Sequence, residues 1–276
     1  MKSKNFNISK LFIIILFLLL VLIPLYLPII NSFKTTSGLY KSPFSLPKDI
    51  MWSNYSEAWV KGNLFQYLIN STIVTVASVL LVVILSSMVA FALTRKRTFK
   101  NLNRVVFIFF LMGIMVPPQV GIVPLYLLMK RFHLSNTLFG LVIVYVAYQM
   151  SFAVFILYSF FKNIPEDIED AAIIDGCSNF TLFSRIILPL SRSAMIAVVI
   201  FAGTYTWNNF LFPLVLITSN SKKTLAIGLM GFRGRWLSDY PILFAGVTIV
   251  SIPLVITYLI LQDKFVEGLT KGSLKG

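Results

Sequence analysis

The residues able to do chemistry in this chain fall into two groups. The first is acidic: Glu166, Asp167, Glu169, Asp170 and Asp175 crowd the first half of the stretch Ile164 to Pro189, IPEDIEDAAIIDGCSNFTLFSRIILP. The second is uncharged: Gly203 to Asn209, GTYTWNN, puts Thr, Tyr, Trp and two Asn residues in the middle of an apolar run. Neither group makes an enzyme site. The single Cys177 leaves no intrachain disulfide and no cysteine-based metal site, and the single His133 reads as the end of an apolar run. There is no Ser/His/Asp set, no H-E-x-x-H and no carboxylate pair inside an apolar run. No G-x-x-x-x-G-K-[ST] phosphate loop occurs either, so that route to nucleotide chemistry is missing too. Two recognition chemistries remain. An acidic, helical stretch can dock on a protein, and amides beside aromatic rings suit a sugar, with its hydroxyls and apolar C–H faces.

The acidic group fixes its own location. One charge at the centre of a membrane helix costs ~2.5–3.5 kcal/mol, so five would cost well over ~10 kcal/mol. The stretch therefore lies outside the bilayer while its neighbours lie inside. It reads as two short helices. Pro165 suits the first helical turn, Asn163 can cap it, and the acids that follow complement the positive end of the helix dipole. Ile168, Ala171, Ala172 and Asp175 share one face by their i, i+3, i+4, i+7 spacing, and the two alanines keep that face low for a close protein contact. Gly176 permits the left-handed turn that ends a helix. Ser178 or Asn179 starts a second helix running through Phe183 and Ile186, before Pro189 opens the next apolar run.

The elements around these groups are membrane spans. Of 276 residues, 57% are hydrophobic and only 12% charged, against the ~25% charged of a soluble domain. Six long uncharged runs, 11–33, 62–94, 105–129, 132–161, 193–221 and 240–262, each exceed the ~20 residues a crossing helix needs. The first is longer than a signal-peptide core and no A-x-A site follows, so it is read as a retained span. The net charge of +14 is spread between the runs without a basic stripe, which points to lipid headgroups and orientation rather than nucleic acid. Arg95, Lys96, Arg97, Lys100 and Arg104 crowd one short loop, and such density places that loop in the cytoplasm. The acidic loop and both termini follow it there. The connections 34–66, 130–136 and 218–240 are then external, the first being an ordered cap where a soluble partner could dock.

Polar or helix-breaking residues near mid-depth mark a candidate path: Gln119 beside Pro117 and Pro118, Gln149, and Tyr205, Trp207, Asn208 and Asn209. Such groups are tolerated where they face protein or a water-filled cavity. For Gln149 alone, a hydrogen bond to a neighbouring helix is the preferred reading.

The pattern Asp170-Ala171-Ala172, three residues, Gly176, nine residues, then Ile186-x-Leu188-Pro189 resembles the Glu-Ala-Ala loop of permease subunits in bacterial ABC importers. The usual Glu is Asp170 here, with Glu169 before it. MVPPQVGIVPLYLLMKRFHL, WNNFLFPL from Trp207 to Leu214, TLAIGL and the ending FVEGLTKGSLKG resemble the carbohydrate-importer branch, and within it the smaller permease of maltose-type systems. The resemblance implies an all-α integral membrane protein with six transmembrane helices and a cytoplasmic coupling-helix loop between spans 4 and 5. The layout is an N-tail 1–10, a permease domain 11–263, and a C-tail 264–276 that reaches toward the ATPases. Its spans lie near 11–33, 67–93, 105–129, 137–161, 193–217 and 241–262, with the coupling loop at 162–189. The resemblance assigns ATPase coupling to Glu169, Asp170, Ala171, Ala172, Asp175, Gly176, Ile186, Leu188 and Pro189. It also implies partners: a second, non-identical permease, two ATP-binding cassette subunits, an extracytoplasmic sugar-binding protein and the sugar itself, with no cofactor on this chain. The alternatives are a permease for another small solute, such as a glycerol phosphoester, or an ion-coupled carrier. The carrier would need ionisable residues inside the runs, and none is there.

Overall fold

The computed structural model describes residues 8–95, 100–235 and 240–273. Lys96 and Arg97 of the basic loop and Leu274 to Gly276 of the C-tail lie outside the described residues. Every regular element among the described residues is helical: α1 (Ile8–Ser32), α2 (Thr36–Lys41), α3 (Ser53–Lys61), α4 (Leu64–Arg95), α5 (Lys100–Met115), α6 (Ile122–Arg131), α7 (Leu138–Lys162), α8 (Glu166–Ile174), α9 (Asn179–Thr181), α10 (Leu188–Leu190), α11 (Arg192–Asn208), α12 (Leu211–Leu216), α13 (Leu225–Arg235) and α14 (Tyr240–Ser273). Helices satisfy their own backbone groups, which is what a chain this apolar requires in lipid. Four stretches among the described residues are long and apolar enough to cross a membrane: Lys10–Ser32, Leu64–Arg95, Leu138–Lys162 and Tyr240–Ile260.

The remaining two predicted spans are interrupted, each for a local reason. Run 105–129 is divided into α5 and α6 by a break at 116–121. Val116 and Pro117 each precede a proline, whose ring disfavours helical geometry in the residue before it. Run 193–217 is carried by α11, which stops where Asn209 turns extended (φ −72°, ψ 125°), and resumes as α12. At its other end, α11 meets the preceding helical segment Asn179–Leu190 at a bend of 76°. Helix α14 also runs past the predicted end of its span, continuing through the expected C-tail as far as Ser273.

The chain forms two compact units. The larger, Gln66–Ile227 with Leu254–Gly276, is built around α7, which packs on α5, α11 and α12. Its apolar interior has two clusters. One, near one end of α7, joins Ala90, Leu157, Phe161, Ile164, Ala172, Leu182, Ile187 and Ala194. The other, toward the opposite end, joins Val74, Leu141, Tyr145, Phe212 and Leu216. At that opposite end Asn136 fastens two connections together. Its Oδ1 accepts from the Thr218 and Ser219 N–H groups (3.1 and 3.0 Å), and its Nδ2 donates to Ser219 Oγ (2.7 Å). Asn70 Nδ2 donates to the Ser221 and Lys223 carbonyls there (2.9 and 2.8 Å). Two of the connections read as external, 130–136 and the start of 218–240, therefore share one end of this unit, and the acidic loop sits at the other.

The smaller unit comprises Met1–Phe65 and Gly228–Pro253. The cap expected over 34–66 is folded. Lys34, buried, donates from Nζ to the Ser42 and Pro43 carbonyls (2.8 and 3.2 Å) just past the end of α2, and burial lowers its pKa from the usual lysine value. Asn54 Nδ2 donates to the Ser32 and Lys34 carbonyls (2.7 and 2.9 Å), tying α3 to the end of α1.

Candidate functional site

The acidic loop is a helix, a glycine turn and a second, bent helical segment. Helix α8 begins at Glu166 with Pro165 as its N-cap, which makes no side-chain hydrogen bond. Asn163 does not cap it as expected. Asn163 ends α7 instead, donating from Nδ2 to the Ser159 carbonyl at 3.0 Å, and Ile164 and the extended Pro165 follow it before α8 begins. Glu166, Asp167 and Glu169 occupy the first turn, where the helix dipole favours them. The helix ends as Gly176 foretold: Gly176 has φ +79°, its N–H donates to the Ile173 carbonyl (3.0 Å), and the Cys177 N–H donates to the Ala172 carbonyl (2.9 Å). These paired bonds close a Schellman turn. A side chain on Gly176 would meet open space, so the backbone angle alone calls for glycine. Ser178 Oγ accepts from the Thr181 N–H (3.2 Å) and starts the second segment. That segment takes a π-helical turn over Leu182–Ile187, in which the Leu188 N–H reaches back to the Phe183 carbonyl, just before Pro189, which has no N–H to offer.

Which faces point where differs from the sequence reading. Ala172 is only 5% exposed and packs in this chain's own core with Phe161, Ile164 and Leu182. Ile186 and Leu188 also pack against that core. These three predicted coupling residues therefore seat the loop rather than present it. At position 172 the neighbouring helices of this chain already cover the alanine. The outward face is Asp167, Asp170, Ala171 and Ile174, again at i, i+3, i+4, i+7 spacing, and Asp175 and Pro189 are exposed too. Three large apolar side chains of this loop that sequence reasoning passed over are exposed: Ile173 (58%), Phe180 (76%) and, on that face itself, Ile174 (85%). An exposed apolar set beside acids has the composition of a protein-contact surface wherever it faces water.

Glu169 turns the other way. It pairs with Arg95 from the last turn of α4, and the two side chains are 13% and 12% exposed. Arg95 also donates from Nη2 to the Phe161 carbonyl in the last turn of α7 (2.9 Å). From sequence, Arg95 was only an orientation signal.

The mid-depth candidates divide likewise. Gln149, 1% exposed, donates from Nε2 to Thr206 Oγ1 (3.0 Å), joining α7 to α11 as the preferred sequence reading had it. Asn209 Oδ1 accepts from the Phe212 N–H (3.2 Å) and from the Tyr145 hydroxyl (3.4 Å), so it starts α12. Tyr205 stacks on Tyr148, with ring centroids 5.2 Å apart and planes 21° apart, both half-buried. Trp207 is half-buried, and its Nε1 has no hydrogen-bond partner among the described residues. Asn208 is exposed and donates only to its own helix, at the Thr204 carbonyl (2.9 Å). Gln119 is exposed in the break between α5 and α6, and no side-chain hydrogen bond among the described residues joins it to the others. No group of three or more potential metal ligands occurs among the described residues.

Residues 83–271 match the family described as "Binding-protein-dependent transport system inner membrane component". An ABC transporter permease protein of Caldicellulosiruptor sp. is 40% identical over 255 residues, 92% of each chain. The diacetylchitobiose uptake system permease protein NgcG of Streptomyces coelicolor is 35% identical over 265 residues, 95% of this chain and 87% of that protein. Among solved structures, a bacterial ABC transporter involved in the import of the acidic polysaccharide alginate superposes with a TM-score of 0.83 at 22% identity, over 96% of this chain and 99% of that one.

Proposed function

This chain belongs to the family of binding-protein-dependent transport system inner membrane components, and from that premise we propose that it is one of two different permeases in an ATP-driven importer of di- or oligosaccharides. The family consists of transport permeases rather than enzymes, so the chemistry required of the chain is passage and coupling. The observation that carries the reading is the loop: an outward surface of Asp170, Ala171, Ile173, Ile174 and Phe180 on a base packed into the chain's own core. Such a surface is left for a partner to cover, and ATP-binding cassette subunits are that partner. The divided pair α5 and α6 counts as the third span and α11 with α12 as the fifth, giving six crossings, with the loop and both termini in the cytoplasm. Interruptions at mid-depth are where a transporter lines its path. Tyr205, Trp207 and Asn208 offer rings and an amide to a neutral sugar there, while Gln149 and Asn209 hold the helices around them. A sugar-binding protein delivers the solute from the far side, by analogy with the family's own description.

The test is the composition of the complex. The chain should be extracted from its native membrane in mild detergent, and its stoichiometric companions identified by mass spectrometry. Two cassette ATPases and a second, different permease are expected. Recovery of the chain alone, or only with copies of itself, would overturn the reading.

A further inference from the structure

We propose that Arg95 is a positioning residue for coupling, holding α8 to the ends of α4 and α7 through Glu169, so that a displacement of the loop becomes a displacement of both spans. The proposal rests on the reading of 164–189 as the ATPase dock. It also moves Glu169 from the docking surface to the inside of the joint.

The geometry has three parts. The guanidinium reaches two elements at once, pairing with Glu169 on α8 and donating to the Phe161 carbonyl on α7 at 2.9 Å. A planar, forked donor can hold two acceptors in fixed directions, which a lysine ammonium does less well. Second, both charges are nearly removed from solvent, with Arg95 12% and Glu169 13% exposed, and Glu166 one turn earlier adds its attraction to Arg95. Withdrawing an ion pair from water is costly enough that an apolar pair would stabilise the loop as well or better. Stability alone therefore does not account for it, whereas directed transmission does. Third, the pair lies beside an apolar seat. Ala172, one turn beyond Glu169, packs in the same cluster as Phe161, Leu157 and Ala90, so α8 is bonded and packed to α4 and α7 on the side away from Ala171 and Ile174. A push on the outer face thus has a stiff route into two spans. Asn103 adds a further strut at this end, donating from Nδ2 to the Leu93 carbonyl of α4 at 3.1 Å.

The experiment uses the complete importer, purified with its ATPases and reconstituted in proteoliposomes. It compares wild type with Arg95→Gln, Glu169→Gln and the double variant. Three quantities are read: ATPase retained on purification, ATP hydrolysed, and sugar taken up per ATP. Each single variant should keep its ATPases and go on hydrolysing ATP, while uptake per ATP falls by about tenfold. The double variant should be no worse than either single, because the two residues act as one device. Arg95→Lys, which keeps the charge but not the fork, should fall between wild type and Arg95→Gln. Losses that add in the double variant, or uptake per ATP that stays at the wild-type ratio in both singles, would overturn the proposal. Release of the ATPases by Glu169→Gln would overturn it too, since Glu169 would then be a docking contact. Absence of ATPases from the wild-type complex would instead sink the docking reading beneath it.

Discussion

Ile174→Ala is the sharpest probe of the loop. Ile174 is 85% exposed and contributes nothing to this chain's buried clusters, so shortening it should leave insertion and folding untouched. Fully burying an isoleucine side chain is worth about 1.5–3 kcal/mol. With most of Ile174 available to a partner, truncation to alanine should remove about 2 kcal/mol of docking energy, or roughly a thirtyfold loss of affinity. Ile173→Ala should cost less, in keeping with its 58% exposure. The assay is a titration of purified ATPase against the permease pair in lipid nanodiscs. Ala172→Val supplies the contrast, since position 172 is 5% exposed and overpacking a core costs about 1–3 kcal/mol. It should lower thermal stability and leave the affinity of the folded fraction near wild type. Wild-type affinity in Ile174→Ala, Ile173→Ala and Phe180→Ala alike would refute the docking face.

Three further outcomes follow from the geometry. Gly176→Ala should destabilise the loop by about 1–2 kcal/mol, because φ +79° is left-handed and nothing crowds the added methyl; thermal unfolding in detergent measures it. Gln149→Leu should cost only about 0.6 kcal/mol in helix packing and leave sugar uptake intact, whereas Asn208→Ala should change uptake with no loss of stability. The reverse pattern would exchange their roles. Cys177, the only cysteine and half-buried at the base of the loop, should react with a membrane-impermeant thiol reagent in inverted vesicles and not in intact cells.

The sequence is most informative where one residue decides the local backbone. Gly176 after an acidic helix was readable because a left-handed angle demands a particular residue, and the N-cap that follows was narrowed to Ser178 or Asn179, of which the structure uses Ser178. The breaks were half readable. Pro117 and Pro118 announced one, yet hydrophobicity runs unbroken through 105–129 and hides that the helix stops at Met115. Asn209 gives no such warning, since its capping of α12 depends on Phe212 and on Tyr145, a residue 64 positions away. The facing of α8 was not readable at all. Ala171 and Ala172 look alike in sequence, and only the arrival of Phe161, Ile164 and Leu182 decides which is covered. Arg95 was hidden for the same reason: a cation at the end of an apolar run has an ordinary meaning in membrane topology, and its partner is 74 positions away.

Under the proposed function, this chain passes sugar only when a separate ATPase works through the 164–189 loop. The most direct measurement is uptake of a labelled disaccharide such as diacetylchitobiose, or of a short oligosaccharide, into proteoliposomes. The assembled complex is reconstituted with ATP on the loop side and the sugar-binding protein on the other. Uptake should require both, should stop when ATP is replaced by a proton or sodium gradient, and should fall together with ATPase binding in Ile174→Ala. Gradient-driven uptake by the chain without an ATPase would contradict the claim.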